Sequence, residues 1–485
     1  MLISLDLVRL DLEHYAYILI LLADLLVIIY MVFIERRHPS YIIPWILIIA
    51  FLPVIGFILY LVFGFHYFRE KQFRPKSEED RILLHRFMDR HGRIEEDDAR
   101  KEEASISLSR VITKGGGSPI MMADQVRVFN DGKEKFKALF EAIKRAEHHV
   151  HLEYYILRND RLGSELIDLL TIKSKEGVKV RLLLDGMGNH MPMDRFEELK
   201  QSGGNVSIFF KPLIPLLTLR FNYHDHRKIA VIDGHVGFVG GFNIGVEYMG
   251  EGPFGEWRDY AVELVGDAVK ALQIRFILDW NYASREKLNP KDADLFPFIE
   301  DVGDIPIQII SSGPDSARTP IKDEYLKLIN IARRYVYIQT PYFIPDESIM
   351  DALRIASLSG VDVRIMFPDK PDHPLVYWAS LSFIGQLLSY GVKAYTFDNG
   401  FIHAKTAFVD DAISSIGSAN WDIRSFRLNF ETNGIVYDEE LTKHNRELFE
   451  KDLERCTEIT LDAYRDRNLA IRVREGIARL FAPIL

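Results

Sequence analysis

The chain has 485 residues, which suits two or three domains better than one small core. Its formal net charge of −10 leaves no general basic footprint, so broad nucleic-acid binding is disfavoured. A lone cysteine, Cys456, excludes an intramolecular disulfide and a cysteine-based zinc site, in keeping with a reducing compartment.

Tyr15 to Ile34 is almost wholly apolar, with Asp24 its only charged residue, and Tyr41 to Phe65 is apolar again with Pro44, Pro53 and Gly56 inside. Glu35-Arg36-Arg37-His38-Pro39 separates them. Each stretch reaches the roughly 20 residues that a helix needs to cross a bilayer. A cleaved signal peptide has one short apolar region, so the pattern predicts a retained two-helix transmembrane hairpin over residues 1–66. Tyrosines and Trp45 near the ends suit the interface. Arg9, Arg69, Lys71, Arg74 and Lys76 flank one side and Arg36 and Arg37 the other, which predicts a multi-pass membrane protein with its remaining mass in the cytoplasm. Asp24 is either a functional intramembrane carboxylate or one packed against the second helix.

Residues 67–118 read as a charged helical connector that frays near Glu95-Glu96-Asp97-Asp98 and ends at Gly115-Gly116-Gly117-Ser118-Pro119. Beyond it the chain repeats itself. Val150-His151-Leu152-Glu153 echoes Val336-Tyr337-Ile338-Gln339, and Gly177-Val178-Lys179-Val180-Arg181-Leu182 echoes Gly360-Val361-Asp362-Val363-Arg364-Ile365. Alternating strands and helices predict an α/β class with two pseudo-twofold related α/β sandwich domains, residues 119–300 and 301–485.

The strongest repeat is His-x-Lys-x-x-x-x-Asp. His226, Lys228 and Asp233 are followed by Gly240-Gly241-Phe242-Asn243, and His403, Lys405 and Asp410 by Gly417-Ser418-Ala419-Asn420. Histidine and lysine two apart on a strand share a face. Asp233 and Asp410 fall at turns and out of phase; they belong to the candidate set but read as structural. Two imidazoles, two lysines and two asparagines meeting at one point suit a phosphodiester. The lysines neutralise nonbridging oxygens, the Asn243 and Asn420 amides add hydrogen bonds, and the small-residue turns at Gly241 and Ser418 let backbone approach an anion. One histidine serves as nucleophile and the other as acid. Asp259 and Glu431, a little downstream of the two signatures, are the candidate carboxylates that orient them. His148, His149 and His151 resemble a metal cluster, but Arg334-Tyr335-Val336-Tyr337 stands at the matching place, so no metal is expected. Glu153, matched by Gln339, is a candidate for the pocket lining.

These signatures, with Gly255-Glu256-Trp257-Arg258-Asp259, Ile338-Gln339-Thr340-Pro341-Tyr342-Phe343 and the run from Trp421 to Glu431, resemble those of the phospholipase D superfamily, and within it bacterial cardiolipin synthases. The resemblance spans nearly the whole chain, including Leu61-Val62-Phe63-Gly64 after the second apolar stretch. Asp225 departs from it, because the family often has Asn before the first histidine. The resemblance implies phosphatidyl transfer between two phosphatidylglycerol molecules without a cofactor, with His226 as nucleophile and His403 as acid and base. It implies anionic membrane lipid as the partner and no nucleic acid; self-association is left open. A membrane-anchored hydrolase with water as acceptor, and a nuclease, are the competing readings. Pro212 to Leu219 and Leu375 to Leu388, one before each signature, either meet lipid or are simply buried. The basic amphipathic run Ile471 to Phe481 either touches anionic lipid or covers a domain edge.

Overall fold

The computed structural model describes residues 2–34, 39–60, 66–91, 103–210, 223–298, 303–316, 318–398 and 400–482. The chain divides into two compact units, one ending at Pro75 and a larger one beginning at Lys76.

In the smaller unit the first apolar stretch forms α1 (Leu2–Phe33). The second is divided into α2 (Pro39–Phe51) and α3 (Pro53–Leu59) rather than forming one helix. Pro53 has no N–H to give, so it starts a new helix instead of continuing the old one, with Leu52 at φ −131° and ψ 68° as the joint. A Cβ on Gly56 would lie 2.6 Å from the Ile48 carbonyl, so only glycine fits this bend. Met31, Ile42, Ile49 and Tyr60 form a small core, and Trp45 meets the Tyr60 ring edge-on at 5.6 Å. Most other apolar side chains of the unit, such as Leu19, Leu26, Phe33 and Phe51, face outward. Among the described residues no helix is long and apolar enough to cross a membrane. Asp24 is buried, and neither of its carboxylate oxygens has a hydrogen-bond partner among the described residues. Glu35 to His38, Leu61 to Gly64, the connector around Glu95 to Asp98 and the apolar segment up to Leu219 (Pro212 included) lie outside the described residues.

The connector supplies α4 (His66–His91) and α5 (Glu103–Gly116). Lys76 on α4 is not a membrane-flanking charge. It is 2% exposed and paired with Asp80, Asp279 and Asp315, because carboxylates so deeply buried require cations beside them.

The larger unit is built on two sheets of like topology. The seven-stranded sheet runs Gln125–Phe129, Ala261–Val265, Val236–Gly240, Lys228–Ile232, His149–Tyr154, Lys179–Asp185, Asn205–Phe209. The nine-stranded sheet runs Met121–Ala123, Ile305–Ser312, Glu431–Val436, Ile413–Gly417, Thr406–Val409, Tyr335–Gln339, Asp362–Pro368, Lys393–Phe397, Cys456–Glu458. In each, the strand that follows the signature histidine pairs antiparallel with the first strand of the repeat, Lys228 opposite Tyr154 and Thr406 opposite Gln339. The parallel pairs need crossovers, supplied by helices Arg161–Lys175 and Glu347–Leu358.

The sheets face each other across a shared apolar layer, with Ile229, Val231, Val239 and Val262 from one and Ile307, Ile309, Phe408 and Ile416 from the other. Helices pack on the outer faces, giving two further cores. Strands covered on both faces explain why these segments read as continuous apolar runs rather than alternating ones. The Asp233-Gly234 turn has φ of 52° and 65°, the positive pair that a tight hairpin requires.

Candidate active site

Both signatures open on one cavity of about 800 Å³, lined among others by His226, Lys228, Asn243, His403, Lys405 and Asn420. What brings them together is a crossed pairing of the two halves. The His226 N–H donates to the Phe430 carbonyl and the Phe430 N–H to the His224 carbonyl, both at 2.9 Å. In the other half the His403 N–H donates to the Arg258 carbonyl at 2.7 Å, next to the parallel pairing of Gly400–Ile402 with Glu256–Arg258. Each histidine is therefore stitched to the strand that carries the other half's carboxylate.

The side chains follow the backbone. His403 Nδ1 lies 2.7 Å from Asp259 Oδ2, and His226 Nδ1 lies 3.2 Å from Glu431 Oε1. Asp259 and Glu431 are both fully buried. With Nδ1 occupied on each ring, Nε2 is the nitrogen left for chemistry. The Asn429 amide adds a contact 3.5 Å from His226 Nδ1 and donates to Glu431 Oε1 at 3.2 Å. The Tyr155 ring packs against His226 at 4.1 Å, and the Tyr248 and Trp257 rings flank His403, each at 5.8 Å.

Burial sets the charge states. It pushes both histidines down, His226 well below its ordinary value with Lys228 and His224 adding to the effect, and His403 to about 4 with help from Lys405 and opposition from Asp259. Burial lowers both lysines too, Lys405 to about 7, against the pull of Asp259. Glu431 is raised by burial to about 7, while Lys228, Ser418 and Asn429 work the other way. A bound anion reverses the pressure on lysines and histidines alike. Two lysines and two imidazoles at one cavity thus make a receptor for an anion.

Other candidates occupy supporting places. The Asp233 carboxylate accepts the N–H groups of Glu147, His148 and His149, each at 2.8 Å, and Asp410 accepts those of Arg333, Arg334 and Tyr335. Neither lines the cavity, so both leave the catalytic set and serve as turn clamps. Gly241 and Ser418 do not touch the cavity either. A Cβ on Gly241 would sit 2.0 Å from Asp259 Oδ1, so the glycine makes room for that carboxylate. At the equivalent place the Ser418 hydroxyl donates to Glu431 Oε2 at 2.5 Å. Asn243 lines the cavity while one N–H donates to the Tyr248 hydroxyl at 2.7 Å and its Oδ1 accepts the Ile156 N–H at 3.1 Å. Asn420 also lines it, and its Oδ1 has no hydrogen-bond partner among the described residues.

Glu153 and Asp225 are fully buried beneath the site rather than in its wall, and burial raises both carboxyls. His149 and His151 both turn to the Gln273 amide, and His151 also meets Arg181 at 3.0 Å. Among the described residues no group of histidine, cysteine and acidic side chains could hold a metal ion.

Comparison with known proteins gives the family. Residues 139–251 and 325–453 match a family model described as cardiolipin synthase, PLD-like domain, and residues 22–64 match one described as phospholipase D-nuclease N-terminal. The chain is 45% identical over 473 residues to the major cardiolipin synthase ClsA of Bacillus subtilis, covering 96% of this chain and 98% of that one. It is 43% identical over 460 residues to a cardiolipin synthase of Oceanobacillus iheyensis, covering 94% and 95%. The chain belongs to the cardiolipin synthase family of the phospholipase D superfamily. A crystal structure of phosphatidylserine synthase from Haemophilus influenzae has the same fold, with a TM-score of 0.60 at 14% identity over 78% of this chain and all of that one.

In this member of the cardiolipin synthase family the cavity wall also holds residues that the signatures did not point to. Tyr155, Tyr248, Tyr342, Asp372 and Arg424 all line the cavity. Tyr155 directly follows the strand His149–Tyr154, and a residue just past a strand end beside the signature strand was the available signal. Asp372 sits in the loop after Asp362–Pro368 and accepts the Tyr342 hydroxyl at 2.5 Å, a contact that no spacing in the sequence announces. The apolar segment before the second signature forms helix Pro374–Leu388 and is largely core; only its first turn, at Val376, reaches the cavity.

Proposed function

We propose that this chain makes cardiolipin from two molecules of phosphatidylglycerol through a phosphatidyl-His226 intermediate. The observation that carries the proposal is the crossed pair of carboxylate-held histidines opening, with two lysines, on one cavity. His226 Nε2 attacks phosphorus of the first lipid, and the departing glycerol oxygen takes a proton from His403. The headgroup hydroxyl of a second phosphatidylglycerol then gives its proton to His403 and attacks phosphorus, and His226 leaves. One phosphodiester replaces another, so the sum is cardiolipin plus glycerol, with no nucleotide consumed. Lys228 and Lys405 neutralise the nonbridging oxygens in both steps.

The division of labour follows from the two carboxylates. The Asp259 contact is the shorter one and His403 is the less depressed imidazole, so His403 takes up and releases the proton. His226 faces a carboxyl raised to about 7 and stays neutral, as a nucleophile must.

The reading extends to location. Residues 1–66 anchor the chain in a membrane as a hairpin of α1 against the broken pair α2 and α3, a reading supported by their outward-facing apolar side chains. With Lys76 buried, Arg9, Arg69, Lys71 and Arg74 against Arg36 and Arg37 still favour a cytoplasmic catalytic portion. The test is purified full-length protein given phosphatidylglycerol alone in mixed micelles with chelator. Cardiolipin and glycerol in equal amounts are expected; phosphatidic acid as the main product refutes synthase activity in favour of hydrolysis.

A further inference from the structure

Helix Leu469–Leu480 packs on the larger unit through Glu475 and Ala478, both buried. The Glu475 carboxylate is held by Arg467 at 2.7 Å and by the Tyr464 hydroxyl at 3.0 Å. The opposite face is uncovered: Leu469 is 74% exposed, Val473 50%, Ile477 51% and Leu480 80%. These four are spaced so that they fall on one straight stripe of the helix, and Phe481 continues it. At 3.6 residues per turn, Arg472 and Arg479 fall on one border of the stripe and Arg474 on the other.

Two of the arginines rest their guanidinium groups near aromatic rings. The Arg474 guanidinium is 5.5 Å from the Trp378 ring and that of Arg479 is 4.8 Å from the Phe383 ring. An exposed apolar stripe bordered by arginines has the design of a helix lying in the plane of a lipid interface, stripe inward and cations at the phosphates. We propose that helix Leu469–Leu480 is a membrane-contact element that seats the catalytic unit on an anionic bilayer.

Two observations choose the occupant. The one acidic residue on the helix, Glu475, is buried and paired, so every charge on its exposed face is an arginine. A second copy packed stripe to stripe sets arginine against arginine, whereas lipid phosphate complements them. Trp378 and Phe383, the rings beneath the arginines, belong to helix Pro374–Leu388, whose first turn borders the active cavity beside Asp372 and His373. A bilayer under the arginine helix is therefore joined to the cavity rim through one packed helix.

The test uses the full chain with Cys456→Ser and a bimane-labelled cysteine introduced by Ile477→Cys, by Leu480→Cys, or by Asp462→Cys as control. Vesicles contain phosphatidylglycerol in phosphatidylcholine, or phosphatidylcholine alone, with nitroxide-bearing lipid as quencher. Quenching at 477 and 480 but not at 462, severalfold stronger with phosphatidylglycerol, is expected. Equal solvent exposure with and without the anionic lipid overturns the proposal. So does shielding in lipid-free detergent that grows with protein concentration, since a second copy is then the occupant.

A second arm replaces the four stripe residues by serine. Turnover at low phosphatidylglycerol mole fraction should fall about tenfold, while turnover of monomeric short-chain substrate is unchanged. An equal fall on both overturns the proposal. Only this kinetic arm rests on the assigned reaction. Labelled protein that is quenched as expected, together with wild-type protein that makes no cardiolipin, refutes the reaction and leaves the membrane contact standing.

Discussion

Lys76→Met tests whether the connector is part of the catalytic scaffold. Lys76, Arg227 and Arg275 face Asp80, Asp279 and Asp315, three cations against three carboxylates, in a cluster where Lys76 and Asp279 have almost no solvent contact. Burial alone would strip the Lys76 proton, but the carboxylates override it and hold the ammonium charged. Methionine matches the length and removes the charge, so one carboxylate is left uncompensated. Removing one partner of a buried pair costs about 3–5 kcal/mol. For a domain of this size that corresponds to a melting temperature lower by roughly 10 °C. The damage also reaches the signature. The Phe430 ring lies 5.6 Å from the Lys76 ammonium and 5.0 Å from the Arg227 guanidinium, and its backbone brackets His226. Thermal unfolding by circular dichroism and single-turnover phosphatidyl transfer per folded molecule are the assays. Lys76→Met together with Asp315→Asn restores charge balance, so it should recover most of both losses. A change below about 1 kcal/mol, the range of an exposed pair, or a double variant no better than the single one, refutes the reasoning.

Three further predictions concern the site. Asp259→Asn should lower kcat by about 10²–10⁴, because the imidazole it holds loses its proper tautomer. Glu431→Gln should cost at least about tenfold less, since the Glu431 carboxyl is already raised to about 7; equal losses in steady-state kcat contradict the asymmetry. The KM for phosphatidylglycerol should rise between about pH 7 and 9, because burial lowers Lys405 to about 7 and only its ammonium form, dominant below that pH, attracts the phosphodiester. Lys405→Arg, always charged, should flatten that profile; an unchanged slope removes Lys405 as its cause. Gly241→Ala should reproduce the Asp259→Asn defect, because the new methyl carbon would stand 2.0 Å from Asp259 Oδ1. Wild-type kcat in that variant shows that the carboxylate can move without harm.

Much of the architecture could be read from the chain because periodicity and repetition are local. The paired His-x-Lys signatures specify two strands with shared faces, and the Asp-Gly turn at 233–234 has the positive φ angles it implies. Asp259 and Glu431 were legible from their parallel positions, but the exchange between halves was not. It depends on backbone pairing of His226 with Phe430 and of His403 with Arg258, across about 200 and 145 residues of chain, and no local pattern encodes that. Lys76 was counted among the membrane-flanking cations for the same reason: a lysine close behind an apolar stretch reads as one, and only the tertiary fold brings three carboxylates around it. Gly241 and Ser418 invited assignment to substrate because small residues permit close approach. The structure gives the approach to Asp259 and Glu431 instead.

The proposed reaction passes phosphatidyl through His226 in a site shared by both halves. Full-length protein is mixed with phosphatidylglycerol radiolabelled in the phosphate, denatured within one turnover, digested under alkaline conditions that preserve phosphohistidine, and mapped by mass spectrometry. The label is expected on the peptide containing His226, lost in His226→Ala and formed more slowly, but on the same peptide, in Asp259→Asn. Label on His403, or turnover to cardiolipin with no covalent label at either histidine, contradicts the account.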